Sequence, residues 1–178
     1  MLKYDYFSTL HTLTDKSCEA VEYAGKKRVQ SHIKISKIRA DSYKILCELE
    51  RALFSEFLPP LDRASIAEYA HALCEITDAA LVYSNSSPLQ YSAISGNGFY
   101  LSSLSLCEIL KETVQMLEKI KRSSEIPRVD EFRKAKTQAL ECICEGACTA
   151  QIFVARQELL CTISDAFDVL VKLILKNI

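Results

Sequence analysis

The sequence predicts an all-α fold, an elongated antiparallel bundle of about six long helices, and three observations predict it. Apolar residues recur at three- and four-residue spacing along nearly the whole chain, the period of a helix with one buried face. The 178 residues include only 4 Gly and 4 Pro, whereas a many-stranded sandwich needs turn residues about every ten positions. The composition, 49% apolar and 25% charged, is that of a globular chain and excludes disorder. The length suits one domain with a sizeable core.

The first helix runs from about Tyr4 to Lys27, with Phe7, Leu10, Val21 and Ala24 on its seam. The second runs from about Ser31 to Phe57 on Ile38, Ile45, Leu49, Leu53 and Phe57. Pro59 and Pro60 stop it, because neither can donate to the helical ladder. Asp62 is placed to cap the third helix, with Leu61 and Ile66 at the two positions of a hydrophobic staple. Ile66, Leu73, Ile76 and Ala80 carry that helix to about Tyr83. A serine- and asparagine-rich loop, Ser84 to Gly98, divides the single domain into halves, 1–83 and 99–178. The fourth helix runs from about Phe99 to Arg122 on Leu106, Leu110, Leu117 and Ile120. Pro127 stands near the start of the fifth, lined by Phe132, Ala139, Ile143, Ala150 and Val154. A boundary near Ala155–Glu158 leads to the last helix, on Leu159, Ile163, Ala166, Leu170 and Ile174. Segments of about 25 residues give helices about 37 Å long.

The same reading narrows the chemistry. Net charge is -1, so no overall field draws in nucleic acid. The opening residues, Met1-Leu-Lys-Tyr-Asp-Tyr6, lack the apolar core of a secretory signal, and the longest uncharged stretch is too polar to span a bilayer. The expectation is a cytoplasmic protein. Its eight cysteines form no C-x-x-C, and their helix-like settings predict small core residues rather than disulfides or a zinc site. On a continuous helix Cys144 and Cys148 would share a face, with Cys142 nearly opposite.

No nucleophile elbow, phosphate loop or H-E-x-x-H occurs, so the chain is not expected to be an enzyme. Glu68-x-x-His71 has no second Glu-x-x-His to complete a di-iron carboxylate set. Glu68, His71, Glu75 and Asp78 fall within about 80° on the third helix, almost opposite its apolar arc. This stripe is a solvated face, or a ridge that holds a divalent metal or iron if a neighbouring helix adds oxygen ligands. From Lys26 to Arg39 the chain carries Lys26, Lys27, Arg28, Lys34, Lys37 and Arg39 and no acid, a wet turn or a contact for phosphate, anionic lipid or an acidic partner.

Three pieces of sequence carry a family resemblance: Ile38-Arg-Ala-Asp41, then Leu49-Glu-Arg-Ala-Leu-Phe-Ser-Glu-Phe57-Leu-Pro-Pro60-Leu-Asp62-Arg63-Ala-Ser-Ile66, then Leu73-Cys-Glu75-Ile-Thr-Asp78. This stretch resembles the PhoU-like family of phosphate-transport accessory proteins, in the branch that accompanies Pit-type phosphate permeases. That branch shows a glutamate-rich run ending in Asp, then F-I-T-P-x-D-R-E-D-I, then L-D-D-I-I-D, and the three pieces match its spacing without a gap. The closing Ile163–Ile178 is also similar to the family's last helix.

The resemblance implies two related helical halves and a regulatory or accessory role in phosphate uptake without catalysis. A permease or regulatory protein at the cytoplasmic membrane face would be the partner. Some members of the family bind metal clusters on the bundle surface through paired E/D-x-x-x-D motifs, which here would draw on Asp41, Glu75 and Asp78, and the stripe on the third helix offers His71 as a fourth ligand. Lys37 and Arg39 stand where the family has acids, as does Cys74, and Ala135–Leu140 holds no carboxylate; Cys161 takes another position that is often acidic. The implied metal site is therefore degraded, and no resident cofactor is expected. Two other readings compete, a metal-binding bundle and a self-assembling structural bundle. Exposed apolar strips on so long a bundle predict a homo-oligomer.

Overall fold

The computed structural model describes residues 4–26, 30–55, 59–86, 97–119, 127–146 and 148–177. Lys27, Arg28, Phe57, Ile120 and most of the Ser84–Gly98 loop lie outside the described residues. The fold is an all-α bundle of six helices: α1 Tyr6–Gly25, α2 Ser31–Ser55, α3 Arg63–Ser86, α4 Asn97–Val114, α5 Val129–Glu141 and α6 Ala150–Leu175. A 3-10 turn, Gln115–Glu118, follows α4. No strand occurs among the described residues, and no helix among them is long and apolar enough to cross a membrane.

Side-chain oxygens cap three of the helices where the backbone leaves amides unpaired. Asp5 accepts from the Ser8 amide at 3.0 Å, Asp62 from the Ser65 amide at 2.9 Å, and Thr149 from the Ile152 amide at 3.3 Å. Leu61 and Ile66 are both buried beside the Asp62 cap, as a hydrophobic staple requires.

Helices α1, α2 and α3 pack on one another, α6 lies along α3, and α4 joins α1 to α5. The core face of α3 is the predicted one, with Ile66, Leu73, Ile76 and Ala80 wholly buried. Polar links fasten it to α1: the Tyr69 and Thr14 hydroxyls are 3.0 Å apart, and the Ser17 hydroxyl donates to the Leu73 carbonyl at 2.7 Å. Phe132 of α5 stacks on Phe167 of α6 at 3.8 Å. At the end of α1 the backbone passes so close to Tyr100 that a Cβ on Gly25 would fall 1.9 Å from the ring.

The fifth helix differs from expectation. It spans only 13 residues and ends at Glu141, and α6 begins at Ala150, well before the predicted boundary. Gly146 has φ 76°, a conformation that side chains with a Cβ disfavour, and Thr149 then starts a new helix. Ile143 therefore lies in the connection, and Val154 is an exposed residue of α6 rather than part of a core seam. The same break removes Cys142, Cys144 and Cys148 from any common helix.

Candidate functional site

The carboxylate stripe of α3 borders α2, and this border holds most of the predicted site residues. Glu68 and Glu75 are exposed, as the helical phase predicts. His71 and Asp78 instead lean toward α2. His71 Nε2 lies 2.8 Å from Glu50 Oε1. Asp78 accepts from the Tyr43 hydroxyl at 2.8 Å and from Arg39 Nε, whose guanidinium also stands 5.1 Å from the Tyr43 ring centre. Burial, then the hydrogen bond to the Asp78 carboxylate, pushes the Tyr43 hydroxyl up to about 12. Burial likewise pushes the neighbouring Cys74 thiol up to about 12, with Asp78 adding to the effect.

The four residues of the implied metal set are not gathered in one place. Asp41 faces α1, where Lys16 Nζ lies 3.5 Å from its carboxylate. Asp78 faces the opposite flank of α2 and is bound to Arg39 and Tyr43. Arg39 therefore neutralises Asp78 and not Asp41, although it is two positions from Asp41 in sequence. A two-residue step turns a helix by about 200°, which sends the two side chains to different neighbours. Among the described residues no group of three or more His, Cys, Asp or Glu side chains is placed to hold a metal ion.

The basic run divides in the same way. Lys26, Lys34 and Lys37 are exposed around the α1–α2 turn, with Lys26 paired to Glu22 and Lys34 Nζ 4.7 Å from the Tyr23 ring centre. Ile33, 61% exposed, stands among them. Lys27 and Arg28 fall outside the described residues. The cysteines divide too: Cys18, Cys74 and Cys107 are buried, whereas Cys47, Cys144 and Cys161 are exposed.

Sequence reasoning missed Arg156. It is a buried arginine of α6 that donates to the Ile143 carbonyl at 2.8 Å and the Glu145 carbonyl at 2.9 Å. Its guanidinium stands 5.2 Å from the Phe99 ring centre. The side chain stitches the α5–α6 connection to the bundle, and only the position of that connection reveals the role. No protein-family model matches the chain, and no curated protein matches it in sequence.

Proposed function

We propose that the chain is a non-enzymatic PhoU-like accessory protein of inorganic phosphate transport that acts by docking on a permease or its regulatory apparatus. The observation that carries this reading is the cationic end of the bundle, where Lys26, Lys34 and Lys37 stand exposed around the exposed Ile33. A cluster of lysines with an apolar knob suits the inner face of an anionic membrane beside a membrane protein. Each basic residue near such a surface contributes about 1 kcal/mol, enough to localise the protein while a partner supplies the specificity.

The sequence pieces that resemble the PhoU-like family support the same reading. All three belong to one helical hairpin, with Asp62 as the cap of its second arm. Sedimentation of the protein with membranes that hold an inorganic phosphate permease tests the proposal. Association should weaken with salt and disappear in the Lys26→Glu/Lys34→Glu variant. Association indifferent to both would refute it.

A further inference from the structure

Two exposed stripes on this protein match each other. On α2, Ile33, Ala40, Cys47 and Phe54 recur every seventh position, with Lys37, Lys44 and Arg51 between them. All are exposed and fall within an arc of about 100°. The stripe on α6 has the same form. Val154, Cys161, Asp168 and Leu175 recur every seventh position, and Glu158, Asp165 and Lys172 fill the gaps. Its large apolar residues are also at the ends, Val154 58% and Leu175 59% exposed, against 61% for Ile33 and 86% for Phe54. Among the described residues, no ion pair reaches Lys37, Lys44 or Arg51, or Glu158, Asp165 or Asp168. A repeat that alternates steps of three and four is what one helix presents to another. Here one stripe is basic and the other mostly acidic.

The fold sets both stripes on one face. Helices α2 and α6 flank α3, and the exposed Glu68, Glu75 and Val82 of α3 lie between them. Contacts of α3 on its two sides fix the heights. Glu50 and Tyr43 of α2 are level with His71 and Asp78, and Lys176, the C-cap of α6, is level with Ser65. Both α2 and α6 therefore run antiparallel to α3 and parallel to each other. With equal rise per residue, a position on α2 is level with the one about 120 residues later on α6.

From this geometry we infer that two copies of the chain form a face-to-face homodimer, with a two-fold axis along the helices and α2 of each copy on α6 of the other. Such an axis exchanges left and right but keeps height and direction. It places Ile33 against Val154, Lys37 against Glu158, Lys44 against Asp165 and Phe54 against Leu175, all within about one residue of the register that the fold dictates. Arg51 is level with Lys172 but has Asp168 one turn away. The three-helix face measures about 37 by 28 Å, or about 1,000 Å² per copy, a standard size for a stable interface. An anionic membrane would attract the α2 stripe and repel the α6 stripe, so a second copy is the better occupant. The axis also brings each Glu68 and each Glu75 toward its mate, like-charge contacts that oppose the stripe-to-stripe pairing. The inference does not need the role in phosphate transport, but the dimer covers Ile33 and Lys37, so it competes with the membrane docking proposed above for those two residues.

Sedimentation velocity of the full chain at low salt tests it. The wild type should sediment at about twice its 20.0 kDa chain mass. Lys44→Glu and Asp165→Lys should each weaken dimerisation about a hundred-fold, because each reversal acts twice in a symmetric pair. An equimolar mixture of the two variants restores both charge pairs and should recover the dimer. Glu75→Gln should tighten it. A wild type that stays monomeric at about 100 μM, a concentration at which an interface of standard size should be populated, would overturn the proposal. So would a dimer that survives both reversals, or variants that fail to reassociate on mixing. Binding of monomeric wild type to anionic vesicles, abolished by Lys44→Glu, would assign the face to a membrane instead.

Discussion

Replacing Arg156 by methionine tests whether two backbone hydrogen bonds outweigh the burial of a charge. The arginine is buried, and its Nη1 donates at 2.8 and 2.9 Å to the carbonyls of Ile143 and Glu145. Its Nε has no hydrogen-bond partner among the described residues. Methionine keeps an unbranched stem of similar reach, so packing beside Phe99 is retained while the donors are lost. Hydrogen bonds from a charged donor contribute about 1.5–3 kcal/mol each, a gross loss of about 3–6 kcal/mol. The variant recovers part of this, because it no longer desolvates a guanidinium. The expected net destabilisation is about 2–4 kcal/mol. At about 2–4 °C per kcal/mol for a chain of this size, Tm falls by about 4–16 °C.

Thermal and urea unfolding followed by circular dichroism measure that loss. Proteolysis should also cut the 142–149 connection faster in the variant, because the arginine is what ties it to α6. A variant as stable as the wild type would refute the reasoning. It would show that the two carbonyls find other donors, or that the burial cost equals the bonds it makes possible.

Two further predictions concern protons and thiols. The Ser65 hydroxyl and amide hold the Asp62 carboxyl below its ordinary range. A depressed carboxyl stabilises the fold above its unfolded value of about 3.9, and this contribution is lost as pH falls through the lower folded value. Asp62→Ala should therefore lower Tm at pH 7, and the difference from wild type should close toward pH 3; a constant gap would contradict the cap's role. In thiol labelling of dilute protein, Cys47, Cys144 and Cys161 should react rapidly. Cys18, Cys74 and Cys107 should react only on unfolding, with Cys74 doubly protected because burial also keeps it protonated up to about 12. Mass spectrometry of labelled peptides would show the order, and early modification of Cys74 would refute it.

Local signals in the sequence were enough for the α2–α3 hairpin. Pro59, Pro60, Leu61 and Asp62 act on their immediate neighbours, so their roles are readable before any tertiary contact forms. The outward phase of Glu68 and Glu75 follows from helical period alone. The partners of that stripe do not. Arg39 meets Asp78 only because two helices pack antiparallel in a particular register, and no local pattern encodes that register. The α5–α6 break was hidden for a different reason. Ile143, Ala150 and Val154 keep a helical spacing straight through it, and this apparent continuity masks the residues that turn the connection and restart the helix, Gly146 and Thr149. Arg156 gives no signal in the sequence, because arginine is ordinarily a surface residue and its acceptors exist only once the connection folds back.

The docking of α6 along α3 has a consequence for biosynthesis. Helix α3 leaves the ribosome with one apolar flank uncovered, and the helix that covers it, 26 residues long, is made after α4 and α5. Until then the nascent chain can close the contacts of α1, α2 and α3 but not its core. Such an interval, with unprotected apolar surface awaiting a distant segment, is when a chain is most open to aggregation and to capture by chaperones. Ribosome stalling sequences placed before α6 should therefore yield nascent chains that retain a holdase until the last helix emerges.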